Sequence, residues 1–455
     1  MPAITTSIFD LFKVGPGPSS SHTIGPMKAA QDFLERLHHL TATLKAGAAA
    51  IEVRLFGSLA ATGKGHGTDR AVVAGLLGWK PETCDPDDFA ALLTDPDRLY
   101  PIDLGGRTIG FGAAHLRFER GPHDFPFSNT MTMALLTADG AVLHAEEYYS
   151  VGGGFVQRKG EMPRVIPEPP YPYETMAELK IHLRNHGLSL PALIVRNEMA
   201  LSDESERAVL ARLDRVVDAM HRAVRRGLHT EGTLPGFIGL QRKAPAMVRS
   251  ARALATTSDS YAVYLNAYCL AASEENAAGH MVVTAPTSGA SGVIPGITYL
   301  LRAHRRLSRT RMREGMCAAA AIGFLVKHNA SISGAEMGCM GEIGTASAMG
   351  AALLACTAGQ SIEVIEAAAE IAIEHHLGMT CDPIGGYVQI PCIERNAMGA
   401  AKAYNAFLLA AAGNHAYQKI SLDRVIGVMR ATGRDMSRKY KETSEGGLAL
   451  SATEC

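Results

Sequence analysis

Four cysteines stand apart from the rest of this chain. Cys339, Cys381 and Cys392 lie in segments flanked by Gly or Pro instead of on apolar helix faces, and Cys455 is the last residue. A thiolate is both a nucleophile and a soft metal ligand. A thiol on a terminal tail makes a weak structural element, because chain ends are poorly ordered unless tied down. As the fourth ligand of a metal centre it has a use, since a ligand on a tail can leave and open a coordination position. The remaining cysteines read as packing residues. Cys269, Cys317 and Cys356 fall in Ala- and Leu-rich helical patterns, and Cys84 sits in an acidic loop.

Zinc structural sites favour thiolates two to four residues apart, and neither such a pair nor a ferredoxin-type run occurs here. The segments that carry the cysteines are Lys327–Cys339, Met379–Gly386 and Pro391–Asn396, with Ala285–Gly292 of similar texture before them. Thiolates so widely separated, joined through folded helices, point to a single cluster bound at a catalytic interface.

Two segments near the N-terminus carry hydroxyls and histidines. Gly15-Pro16-Gly17-Pro18-Ser19-Ser20-Ser21-His22-Thr23 leads into a helix, which sets hydroxyls beside unpaired backbone N–H groups. That suits a carboxylate or a phosphate, and it equally suits a plain helix cap. Gly57-Ser58-Leu59-Ala60-Ala61-Thr62-Gly63-Lys64-Gly65-His66-Gly67-Thr68-Asp69 follows a strand. It misses the phosphate-loop pattern, because five residues separate Gly57 from Gly63 and Gly65 stands where a hydroxyl residue belongs. What remains is His66, framed by glycines that permit close approach to a substrate, a candidate general base.

These groups must be positioned by two regions of different texture. Ile51–Phe56 and Ala114–Phe118 alternate as strands do, and Thr130–Thr137 and Ala141–Tyr149 flank the turn Ala138-Asp139-Gly140. With helices near 25–38 and 70–77, this region predicts an α+β domain with a mixed sheet over residues 1–160. Pro163, Pro167, Pro169, Pro170 and Pro172 mark a Pro-rich linker, taken as 161–180. From 181 to 455 the pattern predicts an all-α domain, with helices over Ser202–Arg226, Gly315–His328, Ser361–His376 and Asn396–His415. Ser361 is placed to cap its helix.

At 455 residues, two domains are expected. A formal charge of −1 and no dense basic stretch argue against nucleic acid as a partner. The longest apolar run, Met316–Val326, has eleven residues, short of a membrane span. The start of the chain has no charged-then-apolar leader, and eight cysteines in so long a chain argue for reduced thiols, so a cytoplasmic protein is expected.

Taken together the motifs resemble the iron–sulfur-dependent L-serine dehydratases (L-serine ammonia-lyases) of the single-chain bacterial type. The resemblance runs over essentially the whole chain. It rests on SSSHT at 19–23, GKGHGTD at 63–69, YYSVGGGF at 148–155, EENAAG at 274–279, APTSGASG at 285–292, NASISGAEMGC at 329–339, TCDPIGGYVQIPCIERNA at 380–397 and TSEGGLA at 443–449. It implies a β-type N-terminal domain similar to a domain of phosphoglycerate dehydrogenases, an all-helical catalytic domain, a [4Fe-4S] cluster, no pyridoxal phosphate and a homodimer. One departure is clear: members carry a histidine before the asparagine of an NTM-like segment, where this chain has Ser128 before Asn129, with His123 upstream.

The resemblance implies elimination from L-serine to pyruvate and ammonia through aminoacrylate. Cys339, Cys381 and Cys392 would hold three irons, and the fourth iron would meet Cys455 at rest and the serine hydroxyl in turnover. His66 is the candidate base for the α-proton, with His22 the second choice. Ser19, Ser20, Ser21, Thr23, Asn129, Ser288 and Asn329 are the expected substrate contacts. Two other classes compete: a pyridoxal-phosphate β-eliminase with Lys327 as the Schiff-base lysine, and a non-enzymatic amino-acid sensor with a structural metal.

Overall fold

The structure is a computed structural model that describes residues 3–161 and 167–451. Its N-terminal region is α+β. Five strands form a mixed sheet in the order Leu116–Glu119, Ala50–Phe56, Thr130–Leu136, Val142–Ser150, Val156–Arg158. Only the pair Ala50–Phe56 with Leu116–Glu119 is parallel. Alternation explains the packing. Ile51, Val53 and Leu55 share one face and stand opposite Leu135, Met133 and Met131 across the ladder. All six are buried beneath Met27, Phe33 and Leu37 of helix Gly25–His38 and Val72 of helix Thr68–Leu76. On the other face, Arg54 pairs with Glu52 and Glu119 at the surface.

Beyond residue 161 the described chain is helical, apart from one short strand, Met281–Val283. That strand pairs antiparallel with Val14–Pro16, Val14 opposite Val283. Ile8, Leu11 and Phe12 sit in the core of the helical region. The chain thus starts against the helices and then turns into the sheet region, which carries the serine-rich loop to the junction of the two.

The expected helices are present with shifted ends. Glu206–His229 is capped by Ser205, Arg309–Asn329 by Ser308 and Ile362–Glu374 by Ser361, each serine accepting from a backbone N–H. Helix Cys392–Ala412 begins earlier than its periodicity suggested. Small residues bring helices close: a Cβ on Gly227 would overlap the backbone of Ala271 on helix Thr257–Ala277. Among the described residues, no helix is long and apolar enough to cross a membrane.

Burial also makes the fold acid-sensitive. His221 is 2% exposed, and burial together with the Arg302 guanidinium pushes it down to about 4. The unfolded chain protonates this imidazole below its ordinary 6.5 while the folded chain does not, so its contribution is complete above 6.5 and is lost as pH falls towards 4. The loss reaches about 2 kcal/mol by pH ~5. Urea unfolding at pH ~7 and ~5 is expected to show a drop smaller by that amount in His221→Asn; equal drops would mean that the imidazole is already protonated in the fold.

Candidate active site and metal centre

The serine-rich loop and the glycine loop are tied to each other before either meets the helices. Residues Ser20–Ile24 form a wide helical turn that runs into helix Gly25–His38, with Ser19 accepting from the His22 N–H. Thr23 donates its hydroxyl to the His66 carbonyl at 2.8 Å, and Thr68 donates to the His22 carbonyl at 2.7 Å. The glycine loop follows helix Ser58–Thr62. Gly67, at φ +66°, makes the left-handed turn that starts the next helix, a conformation suited to glycine. Gly65 lies so close to Gly386 that a Cβ there would stand 3.1 Å from the Gly386 carbonyl oxygen.

The two histidines therefore lie side by side, with ring centroids 4.4 Å apart, both fully buried. The hydrogen bonds assign their tautomers. His66 Nδ1 is 3.0 Å from the Thr62 carbonyl, which only accepts, so Nδ1 carries the proton and Nε2 holds a lone pair. Nε2 is buried with no hydrogen-bond partner among the described residues. Burial pushes His66 down to about 4, so the ring is neutral near pH 7. Around His22, Ser58 already donates to the Glu442 carbonyl and Thr62 to the Ser58 carbonyl. Both hydroxyls are then acceptors for His22 Nε2–H, at 3.0 and 3.1 Å, and Ser21 donates to Nδ1 at 2.9 Å. Burial and the neighbouring His66 hold His22 well below its ordinary value. Every nitrogen of His22 is occupied; one nitrogen of His66 is not.

The helical region brings three thiols to the same place. Cys339 opens the turn Met340–Gly344 after the short helix Gly334–Met337, and Cys392 is the first residue of helix Cys392–Ala412. Cys381 is held by backbone bonds from its N–H to Tyr440 and from Glu442 to its carbonyl. All three are free and buried. The ligating atoms of Cys339, Glu342 and Cys381 lie within 4.8 Å of one another. Arg395, one helical turn after Cys392, reaches Cys339 Sγ at 3.2 Å and is fixed by the Thr380 carbonyl and Asp382. A hydrogen bond from Cys381 and the Arg395 charge pull the Cys339 thiol below its ordinary value, whereas burial pushes Cys392 up.

A small cavity joins these parts, with Ser19, His66, Cys339, Cys381, Cys392 and Glu442 among its walls. Larger hollows exist, such as that around Lys180, Arg184, Cys356 and Ile362, but no histidine lines it and burial pushes its one thiol up to about 12. Three uncrosslinked thiols, a guanidinium against one of them and unpartnered buried polar atoms fit a thiolate-held metal group better than a packed core.

Of the expected residues, Ser19, His66, Cys339, Cys381 and Cys392 line the cavity. Ser20 accepts from the Ser288 N–H at 3.3 Å, and Ser288 Oγ is buried without a partner among the described residues. Asn129 is buried with Oδ1 unpartnered among the described residues; its carbonyl accepts from Ser150, whose hydroxyl donates to the Ser21 carbonyl. Ser21 and Thr23 spend their hydroxyls on His22 and on the His66 backbone. Asn329 is not brought to the cavity: it ends helix Arg309–Asn329 and donates to the Glu174 and Leu325 carbonyls. His123 packs on Phe56 and Phe125. Cys455 lies outside the described residues. Sequence reading missed Ser58, Thr62, Glu342, Arg395 and Glu442. Glu342 and Arg395 each lie three residues after a cysteine, the one spacing that offered a signal.

The serine dehydratase beta chain family matches residues 7–161, and the serine dehydratase alpha chain family matches residues 185–449. The chain is 42% identical to L-serine dehydratase 2 of Escherichia coli (strain K12), across 99% of both chains. It is 44% identical to L-serine dehydratase of Streptomyces coelicolor, again across 99% of both, and 41% identical to L-serine dehydratase of Haemophilus influenzae across 98% of both. With matches along nearly its whole length, and with the beta- and alpha-chain regions in one polypeptide, this chain belongs to the serine dehydratase family.

Proposed function

We propose that this chain is an L-serine ammonia-lyase that converts L-serine to pyruvate and ammonia with a [4Fe-4S] cluster held by Cys339, Cys381 and Cys392. The observation that carries this reading is the unpartnered Nε2 lone pair of His66, a residue that lines the cavity three free thiols share. When bound, the cluster supplies a Lewis acid that assists departure of the serine hydroxyl.

The chain's own residues do the rest. His66 takes the α-proton at Nε2, while the Thr62 carbonyl holds Nδ1–H and so keeps the ring in that tautomer. His22 stands behind it, neutral, its position fixed by Ser21, Ser58 and Thr62. Ser19, with Ser20 and Ser288 beside it, receives the carboxylate near the start of helix Gly25–His38. Arg395 stabilises the thiolate form of Cys339 and so favours ligation over protonation. Burial excludes bulk water from the proton transfer. Lys327, the amine that a pyridoxal enzyme would need, instead reaches Thr6 at 3.1 Å and the Phe155 ring. The cluster and the base come from the two regions of the fold, so neither region is expected to work alone.

Protein prepared without oxygen tests the proposal through its spectrum and products. Broad iron–sulfur bands, bleached on reduction, should accompany pyruvate formation from L-serine. A sharp pyridoxal band, or serine binding without pyruvate, would replace this reading with one of its competitors.

A further inference from the structure

Serine presents three polar groups to a site, and in the proposed lyase two of them have partners. The carboxylate has the serine loop and the hydroxyl has the metal side, which leaves the α-ammonium. Two acidic residues border the cavity, Glu342 and Glu442. Glu342 is engaged on the thiol side: its Oε1 accepts from Thr287 at 2.7 Å, and its Oε2 is 3.9 Å from Cys381 Sγ.

Glu442 is different. It is 6% exposed, and among the described residues its Oε2 has no partner and no lysine or arginine forms an ion pair with it. The nearest basic atom is His22 Nδ1, 3.7 Å from Oε1, and that nitrogen is already the acceptor for Ser21. A neutral imidazole lone pair gives a carboxylate nothing. A carboxyl buried without a cation is costly as the anion and is driven towards its neutral form, yet hydrogen bonds and an unusual backbone hold it at the cavity. Glu442 adopts φ 60° and Ser444 φ 56°, a backbone region that side chains other than glycine seldom occupy. Three bonds hold the segment: the Glu442 N–H to the Cys381 carbonyl at 2.7 Å, Ser58 to the Glu442 carbonyl at 2.8 Å, and Ser444 to the Pro383 carbonyl at 2.7 Å. They come from both regions of the fold and from the cysteine segment itself.

Resting on the serine-lyase reading, we propose that Glu442 is a specificity-determining residue that receives the α-ammonium of the substrate. An ammonium there restores charge balance to the buried carboxylate and can donate to the free Oε2. A hydroxy acid, with a hydroxyl in place of the ammonium, leaves the carboxylate uncompensated, so the site selects amino acids.

The test compares two ligands that differ only in this group and lack the β-hydroxyl that serine loses, L-alanine and L-lactate. Their dissociation constants are measured by calorimetry on iron-loaded protein without oxygen, and the KM and kcat for L-serine are taken alongside. Wild type should prefer L-alanine. In Glu442→Gln the preference should fall by ~10²-fold, through weaker L-alanine with L-lactate little changed, and KM for serine should rise more than kcat falls. Glu442→Asp should recover part of the preference, and iron content should stay at the wild-type level in both variants. Equal weakening of the two ligands, a preference that survives in Glu442→Gln, or no preference in wild type would overturn the assignment. Failure of wild type to make pyruvate from serine would instead overturn the reading on which it rests.

Discussion

Replacing Cys339, Cys381 or Cys392 with serine is expected to remove bound iron and reduce pyruvate formation to background. Each thiol is buried at the same cavity, and a hydroxyl is a poor substitute for a thiolate on iron. The control is Cys317→Ser. Cys317 lies inside helix Arg309–Asn329, where burial pushes its thiol up and keeps it inert, so iron content should be close to wild type. Iron and sulfide counts on anaerobic protein decide the matter. Full iron in Cys392→Ser together with loss of iron in Cys317→Ser would move the centre out of the loops and into the helices.

His66→Ala should lower kcat by ~10²–10⁴ while leaving the iron–sulfur spectrum intact. The direction follows from the geometry: Nε2 holds the one unpartnered lone pair of the His22–His66 pair, at a position that burial keeps neutral. Exchange of the serine α-proton with deuterated solvent should fall in step with kcat. Unimpaired exchange in His66→Ala, with loss in His22→Ala, would hand the proton to His22 and require Ser21 to release its nitrogen.

The contrast between these residues and others marks how far the sequence could be read. Strand alternation at Ile51–Phe56 predicted a half-buried sheet, because a period of two survives any context that buries one face. Ser361 was legible as a cap because capping is local. Cys339, Cys381 and Cys392 were visible through their Gly- and Pro-flanked settings. The helix that begins at Cys392 was placed too late, because the Pro391-Cys392 start carries no side-chain cap to announce it. Ser58 and Glu442 are joined across 384 residues, and no spacing rule reaches that far. The left-handed backbone at Glu442 was equally hidden, since glycine is the usual marker of that conformation and glutamate is not. Asn329 illustrates the opposite error. It was expected among the substrate contacts, but it is the last residue of helix Arg309–Asn329 and its amide donates to the Glu174 and Leu325 carbonyls.

The most direct measurement is the rate of pyruvate formation from L-serine against iron bound, as one preparation is loaded stepwise with iron and sulfide under nitrogen. A thiolate-held cluster facing a neutral His66 predicts a rate that rises in step with iron and sulfide towards about four of each per chain, with none in iron-free protein. Pyruvate formed at the same rate by iron-free protein would contradict it.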